Sequence, residues 1–354
     1  MSEAAMVAAV DVGYGSVKAE CGPMKGETKS IVMPSGAGRA DDMPRKLSGG
    51  PDLKGGELVL LSEDGGPAVE WVAGVHQTHI QQVARVTHEN YPSTPEYRAL
   101  YLAALARFGT PKINLLVTGL PVSQYYGPDG PQRIKALEQA MKGRKNINSM
   151  TTVEVDKVVV IPQPLGTFMG VAADPKYAGL AQSDHLQTLV IDAGFYSVDY
   201  VVVSGRSIKD KSSGSSQLAT SIILERTAAA VSRRVGRPIS RDQLDVAMKS
   251  GRRSIPEGLS GEIDFEAELT QVADSVATQV IGEILTALRT IGQVDLIIVT
   301  GGGGSLYLNA VRAAFPGLKA ENVILPEDPV MANARGYRAT GVWMLEKQFA
   351  KQRG

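Results

Sequence analysis

The sequence predicts an α/β protein in which one plan is built twice, as two halves with mixed sheets and flanking helices around a central cleft. Three glycine-containing turns support this prediction. Two similar turns, Asp11–Lys18 and Asp192–Asp199, each come directly after a short apolar run. A run of four glycines, 301–304, follows a third apolar run. Strand-turn units that recur at a distance are typical of a duplicated sheet.

The first two turns share one order of residues. In each, an acid ends the strand, a glycine follows two positions later, and a serine stands five positions after the acid. Glycine lets a turn bring bare amides up to phosphate oxygens, because no Cβ stands in the way. A carboxylate does not face a phosphate directly, so Asp11 and Asp192 imply a divalent cation between them. Two such turns, facing each other, predict a site for one magnesium nucleotide.

The third turn lies between the apolar run 296–300 and a predicted helix, 306–315. Its glycines allow the backbone to lie flat under a ligand and expose the amides of a helix N-terminus. A single turn of this kind can also be no more than a tight strand-to-helix connection. Three turns in matching context favour a ligand site.

The remaining elements follow the same duplicated plan. We expect strands within 6–34 around the first turn, and loops with short strands at the surface over 35–70. Further predicted elements are a helix 96–107, a buried strand 113–121, a helix 131–142, strands 151–161, a helix 167–173, strands 187–204, and helices 216–235, 240–250, 265–291 and about 330–350. The predicted first half is 1–170 and the second 171–327, with 328–354 packing back on the first half.

Composition sets the background for these motifs. The chain of 354 residues is 43% hydrophobic and 21% charged, with zero formal net charge. It therefore has no overall electrostatic attraction to nucleic acid or to anionic membranes. The single cysteine, Cys21, cannot form an internal disulfide and fits a reducing compartment. Since we find no long apolar run and no signal-peptide layout at the N-terminus, we expect a cytoplasmic protein.

With these motifs the chain resembles the superfamily of actin, the heat-shock chaperone ATPases and the sugar kinases. The resemblance spans residues 6 to about 345 and implies a duplicated actin-like, ribonuclease H-like ATPase fold around a nucleotide cleft. The parts that match the superfamily are a first phosphate motif (11–18), a second (192–199), an adenosine motif (300–304) and connecting segments (161–173 and 328–337). Within the superfamily, the compact length and Lys18 most resemble bacterial plasmid-segregation actins of the ParM or StbA type.

The resemblance implies a Mg²⁺-dependent ATPase that uses ATP or GTP. Asp11 and Asp192 would hold the metal largely through water, and Lys18 would reach the β- and γ-phosphates. The residues that would bind the nucleotide are Gly13, Tyr14, Gly15, Ser16, Lys18, Gly194, Phe195, Tyr196, Ser197, Gly214, Glu225, Arg226, Gly301, Gly302, Gly303 and Gly304. Among these, Glu225 and Arg226 are placed at the ribose; their alternative role is that of plain solvent-facing charges.

Gln163 occupies the position at which the superfamily orients the attacking water. The implied catalytic residues are therefore Gln163, Asp11 and Asp192. Glutamine cannot act as a base near neutral pH, so we expect slow turnover. The alternative is that Gln163 only caps the helix that follows it.

The implied function is a filament-forming ATPase that polymerises with itself and segregates plasmid or other DNA through an adaptor protein bound to a centromere-like site. A small-molecule kinase and a chaperone-like ATPase are the alternatives. We expect neither direct membrane contact nor direct nucleic-acid binding. The segment 226–253 carries eight basic residues against two acids; a solvated helical face, a contact with another protomer and DNA are all open for it.

Overall fold

The computed structural model describes residues 4–62, 66–81, 90–181, 183, 185–205, 207–289 and 293–353. The strands are β1 (Met6–Val12), β2 (Ser16–Pro23), β3 (Lys29–Pro34), β4 (Gly36–Arg39), β5 (Glu57–Ser62), β6 (Ala68–Val75), β7 (Lys112–Ile113), β8 (Leu115–Leu120), β9 (Gly143–Asn146), β10 (Thr152–Val155), β11 (Val158–Pro162), β12 (Gln187–Ala193), β13 (Val198–Ser204), β14 (Ser207–Ile208), β15 (Gly214–Ser216), β16 (Ser254–Glu257), β17 (Gly261–Asp264), β18 (Leu296–Thr300) and β19 (Val323–Ile324). The helices are α1 (Pro95–Phe108), α2 (Val122–Tyr125), α3 (Gly130–Met141), α4 (Gln163–Ala173), α5 (Thr220–Val235), α6 (Arg241–Lys249), α7 (Glu266–Leu288), α8 (Gly304–Ala314) and α9 (Ala332–Arg353).

The chain divides into two compact units. The first comprises Met1–Ser183 and Val330–Gly354, and the second comprises Asp184–Pro329. The sequence analysis places the boundary at 170, whereas the first unit extends to 183. The reason is that α4 continues to Ala173 and the 3₁₀ turn after it packs against α4.

The main sheet of each unit follows the same plan. In the first unit the strand order is β11-β8-β1-β2-β3, and in the second it is β14-β13-β12-β18-β19. The first strand of each unit pairs antiparallel with the second, as a hairpin, and parallel with a strand much later in the sequence. Both units therefore place a hairpin turn and the ends of parallel strands at corresponding positions.

Strand β1 is buried on both faces. Ala8 and Val10 face the core that includes α1, whereas Val7 and Ala9 face a second cluster that includes Tyr337 of α9. Successive side chains point to opposite faces of a sheet, so a strand covered on both sides reads as a continuous apolar run. This explains why the sequence shows no polar alternation before the first turn.

Helices α4 and α9 cross at very short distance through glycines. A Cβ added to Gly336 would lie 1.6 Å from the carbonyl oxygen of Gly166, and one added to Gly170 would lie 3.3 Å from Cα of Gly336. Next to this contact, Thr167 Oγ1 donates to Asn333 Oδ1 over 2.7 Å, and both residues are buried. The missing side chains permit the crossing.

Local capping explains why the predicted helix ends are close to the observed ones. Thr94 accepts a hydrogen bond from the amide of Tyr97 at the start of α1, and Gly109 ends α1 with φ of 70°. In α6, Ser240 and Gln243 form a reciprocal capping box. These caps satisfy backbone groups that a helix end leaves unpaired, and each stabilises its helix by about 1 kcal/mol.

Two predicted stretches differ from the structure. The segment 35–70 contains the predicted short strands, but they form a three-stranded sheet, β4-β6-β5, that is not confined to the surface, because Ala37 and Val59 belong to the main core. Helix α5 begins at Thr220 and not at 216, because 214–216 pair with β13. Residues 63–65 of the predicted segment 35–70, and residues 290–291 at the end of one predicted helix, lie outside the described residues. Among the helices described, none is long and apolar enough to cross a membrane.

Candidate functional site

The turn between β1 and β2 is closed by its own backbone. The amide of Gly13 donates to the carbonyl of Ser16 over 3.2 Å. A Cβ on Gly13 would lie 3.0 Å from both Ser16 O and Lys18 Nζ, so a side chain there would crowd the lysine. The turn residues from Gly13 to Ser16 are half-buried. The turn can therefore present backbone amides close to a lysine ammonium group.

Asp11 and Lys18 form an ion pair across this hairpin. They are directly opposite in the register of β1 and β2, and Lys18 Nζ lies 3.3 Å from Asp11 Oδ2. The side chains are 5% and 14% exposed, respectively. The resemblance implies a metal at Asp11 and phosphates at Lys18. In the structure, each side chain is the partner of the other.

Tyr14 contributes its backbone to the turn, while its side chain packs inward. Its ring stacks on Tyr91 with centroids 4.3 Å apart, and its carbonyl accepts a hydrogen bond from Ser35. Tyr91 in turn contacts Tyr97 of α1 edge to face. Burial raises the pKa of the Tyr97 phenol, so this group stays protonated and neutral. Stacked rings of this kind hold the turn in one place.

The turn between β12 and β13 repeats the hydrogen bond of the first turn. The amide of Gly194 donates to the carbonyl of Ser197 over 3.0 Å. Asp192 ends the strand and is 7% exposed. The turn residues Gly194, Phe195, Tyr196 and Ser197 are half-buried. The same glycine-to-serine hydrogen bond at corresponding positions of the two hairpins supports the duplicated motif that the sequence indicates.

The glycine turn packs directly on this second hairpin. The amide of Gly303 donates to the carbonyl of Ala193 over 2.9 Å. A Cβ on Gly301, whose φ is 85°, would lie 2.4 Å from Asp192 Oδ1. Gly302 is exposed, with nothing within 4 Å of an added Cβ, and Gly304 begins α8. The glycines therefore let the Asp192 carboxylate approach the backbone and leave open space over Gly302.

Thr220, which is not among the residues predicted from the sequence, lies directly beside the glycine turn. A Cβ on Gly303 would lie 2.2 Å from Thr220 Oγ1, and the amide of Thr220 donates to the carbonyl of Gly194. The hydroxyl is buried and has no hydrogen-bond partner among the described residues. An unpaired buried hydroxyl beside an open glycine turn fits a polar ligand atom. The available sequence signal was a hydroxyl residue at the start of a helix.

Asp199 takes the place in the second hairpin that Lys18 has in the first. It lies opposite Asp192 in the register of β12 and β13, and it is 2% exposed. Ser197 Oγ donates to it over 2.6 Å, and the hydroxyl of Ser215 donates to its other oxygen. The two hairpins are thus alike in backbone but opposite in charge at this position.

The side chain of Phe195 lies between two cations of α6. The Arg241 guanidinium carbon is 5.5 Å from the centroid of the ring, and Lys249 Nζ is 5.7 Å from it. Lys249 also pairs with Asp245 over 2.8 Å. The second hairpin therefore has positive charge beside it, which no local sequence pattern reveals, since α6 follows about 45 residues later.

Gln163 is the first residue of α4 and is half-buried. A Cβ on Gly119, in β8, would lie 2.9 Å from Gln163 Cγ and 2.0 Å from Tyr337 Oη. The glycine thus lets both side chains rest on the end of β8. The N-cap of α4 is Pro162 and no side-chain cap bond is made there, so Gln163 does not cap α4.

The predicted ribose residues lie apart from the glycine contacts described above. Glu225 and Arg226 are exposed on α5 beyond its first turn. Gly214 is in β15, opposite Tyr200, where a Cβ would meet the phenol oxygen at 2.7 Å. In the structure, the missing side chain of Gly214 therefore allows close packing against Tyr200.

The basic segment 226–253 is partly neutralised within its own unit. Arg234 pairs with Glu268 over 2.5 Å, and Arg241 lies 3.8 Å from Asp242. Arg237 donates to the carbonyl of Pro256. Glu268 and the carbonyl of Pro256, both outside the segment, thus offset part of a charge that looks unopposed in the sequence.

Each hairpin has its own buried oxygen donor of the kind that suits a hydrated magnesium ion, Asp11 in the first unit and Asp192 in the second. Among the described residues, no three His, Cys, Asp or Glu side chains gather as a metal-binding group. The carboxylates of Asp11 and Asp192 are hard oxygen ligands, and Mg²⁺ is commonly held by one or two carboxylates plus water and phosphate oxygens. The open space at Gly302 and the unpaired hydroxyl of Thr220 fit the phosphate- and sugar-bearing part of a nucleotide.

Comparison with protein families and solved structures gives one consistent result. Residues 9–166 match the family model described as actin-like proteins, N-terminal domain, and residues 190–312 match the archaeal actin homologue MreB-like C-terminal model. No curated protein sequence matches the chain. The two models together account for both hairpins and for the glycine turn.

The solved structures that resemble the chain are actin homologues along nearly its whole length. Actin-like protein Alp7A is 15% identical, with a TM-score of 0.75 over 98% of each chain. The archaeal actin homologue Ta0583 in complex with ADP is 19% identical, with a TM-score of 0.71 over 95% of this chain and 98% of that one. A ParM from a 15-stranded filament of Clostridium botulinum is 18% identical, with a TM-score of 0.72 over 95% and 99%. At these identities the likeness establishes the fold.

Proposed function

We propose that this chain, which belongs to the actin-like proteins, binds a magnesium nucleoside triphosphate, polymerises with itself and hydrolyses the nucleotide slowly. One observation carries the proposal. Both hairpins close a glycine amide onto a serine carbonyl and place a buried carboxylate at the strand end. Such a turn suits phosphate oxygens and a hydrated cation, and the chain contains it twice.

Each hairpin has a separate task in this proposal. Asp11 and Asp192 orient the water shell of the metal, and Lys18 moves from Asp11 to the β- and γ-phosphates. The amides of the first turn, Gly13 to Ser16, and of the second, Gly194 to Ser197, bind phosphate oxygens. The metal, when bound, supplies charge neutralisation at the phosphates.

The nucleoside uses the second unit. We propose that it lies on the open backbone of Gly302, with the Thr220 hydroxyl as a hydrogen-bond partner. Arg241 and Lys249 lie beside Phe195, and each is close to an acid of α6, Asp242 and Asp245 respectively. Glu225 and Arg226, whose side chains are exposed on α5, stay the proposed ribose residues.

Gln163 orients the attacking water. Its amide can donate and accept hydrogen bonds but cannot take a proton near neutral pH, so hydrolysis is slow and follows assembly. Gln163→Ala should retain nucleotide binding and reduce the hydrolysis rate at least tenfold, giving longer-lived polymers. The matched control is Gln271→Ala, a substitution of an exposed residue on α7. A loss of nucleotide binding in Gln163→Ala would contradict the role.

Polymerisation is tested by light scattering and sedimentation. With magnesium and ATP or GTP, scattering should rise and the protein should pellet, whereas magnesium alone should have no effect. The solved ParM filament makes a head-to-tail assembly of this fold reasonable, since a contact that does not close into a ring yields a filament. A protein that binds the nucleotide by calorimetry but never pellets would refute the polymer and favour a kinase-like or chaperone-like ATPase.

The proposed cargo is DNA, carried through an adaptor protein. The chain has zero net charge, and several of the basic residues in 226–253 are engaged within their own unit. Preformed polymers should therefore show no shift of naked DNA at physiological salt. A salt-sensitive shift by the isolated polymer would replace the adaptor with direct binding.

A further inference from the structure

The first unit contains a recess that none of the assignments above uses. Its volume is about 590 Å³, and it lies between the segment before α1 and the helices α2 and α3. The lining residues that matter here are Asn90, Pro92, Arg98, Gln124, Asp129 and Arg133. A volume of this size falls in the range of small-molecule sites.

Two polar atoms at this recess are buried without a partner. Gln124 is 7% exposed, and its Oε1 has no hydrogen-bond partner among the described residues. The same holds for Nε of Arg98, which lines the same space. Proteins seldom leave a buried acceptor and a buried donor unsatisfied, because each group that loses water costs free energy. One wall of the recess thus offers a ligand one hydrogen-bond acceptor, Gln124 Oε1, and one donor, Arg98 Nε.

The charges of the recess favour an anion. Arg98 and Arg133 are opposed by Asp129 alone among the lining residues. Arg133 Nη1 donates to Asn90 Oδ1 over 3.3 Å, which holds this guanidinium against the segment before α1. Guanidinium groups bind carboxylates through paired hydrogen bonds, whereas the oxygens of Gln124 and Asp129 need a donor on the ligand.

We propose that this recess binds a small carboxylate that also carries a hydroxyl or ammonium group. The carboxylate pairs with Arg98 and Arg133, and the donor group satisfies Gln124 Oε1. The recess shares no residue with the three glycine turns, so binding there can be measured without a nucleotide.

The recess is positioned to influence the first hairpin. Asn90 and Pro92 flank Tyr91, whose ring stacks on Tyr14 in the turn between β1 and β2. Leu120, on the opposite wall, follows Gly119, on which Gln163 rests. A ligand that orders these walls changes the free energy of the turn, and by linkage a nucleotide changes the affinity of the recess by the same factor.

The test compares citrate with tricarballylate, which is citrate without its hydroxyl group. Calorimetry is done on the full chain without nucleotide or magnesium. We expect both to bind at millimolar concentration and citrate to bind about fivefold more tightly, as one added hydrogen bond of about 1 kcal/mol predicts. Absence of binding by both compounds, or equal affinity for the two, would overturn the proposal.

Two variants separate a ligand site from a structural one. Gln124→Met replaces the unpaired amide with an apolar side chain of similar size, so the free protein should melt at an equal or higher temperature while the preference for citrate disappears. A lower melting temperature with the preference intact would mean that Gln124 is structural, and the proposal would be wrong. Arg133→Gln should weaken the binding of both compounds at least tenfold. The control Arg144→Gln, at an exposed position of β9, should leave both affinities unchanged.

The coupling between the recess and nucleotide binding is measured with citrate. Citrate at a concentration that saturates the unaltered chain should change the dissociation constant of magnesium-free ATP at least twofold there, and should change it less in Arg133→Gln, which binds citrate at least tenfold more weakly. An identical affinity for ATP with and without citrate in the unaltered chain would refute the coupling.

Discussion

Replacing Gly336 with alanine tests whether the close crossing of α4 and α9 holds the first unit together. The added Cβ would lie 1.6 Å from the carbonyl oxygen of Gly166. A carbon–oxygen contact is normally about 3.3 Å or longer, so the two helices must separate by roughly 1.7 Å. The obstacle is backbone, which cannot rotate away as a side chain can.

The size of the effect follows from two opposing terms. Alanine in a helix interior is favoured over glycine by about 1 kcal/mol. Overpacking costs about 1–3 kcal/mol in well-packed cores, and a backbone obstacle places the cost at or above the upper end. We therefore expect Gly336→Ala to lower the free energy of unfolding by about 2–3 kcal/mol, which is roughly 5–10 °C in Tm for a unit of this size.

The matched control is Gly282→Ala in α7. No atom lies within 4 Å of a Cβ added to Gly282, so only the helix preference acts there. This variant should raise the free energy of unfolding by about 1 kcal/mol. Both are measured by thermal unfolding followed by circular dichroism. A Tm for Gly336→Ala equal to or above that of the unaltered chain would refute the packing argument, and so would two shifts of the same sign.

Three further changes probe the candidate site and the core. Asp192→Asn should abolish magnesium-dependent nucleotide binding in calorimetry with little change in Tm. The control Asp210→Asn, at an exposed position, should bind the nucleotide normally. Intact nucleotide binding by Asp192→Asn would exclude a metal-binding role for Asp192. Thr220→Val removes an unpaired buried hydroxyl, so it should keep or raise Tm while weakening nucleotide binding about fivefold or more; unchanged affinity would remove Thr220 from the site. Burial raises the pKa of the Cys21 thiol to about 11. The protonated thiol therefore stabilises the folded chain at pH values below the unfolded pKa, and this stabilisation is lost as the pH rises towards 11. Iodoacetamide near neutral pH should modify Cys21 only in denaturant, as measured by mass spectrometry, and rapid modification of the folded chain would contradict its burial.

The sequence predicts the hairpins well because their causes are local. Asp11 and Asp192 end apolar strands, and glycine two positions later is what each turn needs. Helix α1 is equally local, since Thr94 caps its start and Gly109 ends it. The fold class and the actin-like family follow from these motifs, and both are confirmed by the comparisons.

The parts that the sequence does not predict depend on contacts between distant segments. Thr220 joins the candidate site only because Gly303, more than 80 residues later, lacks a side chain. The cations beside Phe195 come from a helix that packs on the hairpin from elsewhere in the chain. Trp71 is buried because its strand pairs with two others, although its neighbourhood in sequence is rich in turn residues.

The ion pair between Asp11 and Lys18 has a consequence for the order in which ligands arrive. A bare metal ion must compete with an ammonium group for Asp11, and a bare triphosphate that draws Lys18 away leaves a carboxylate 5% exposed without a counter-charge. In the proposed function, the preformed metal–triphosphate complex replaces both partners in one event. We therefore expect the hairpin to bind this complex more tightly than it binds either the metal or the triphosphate alone.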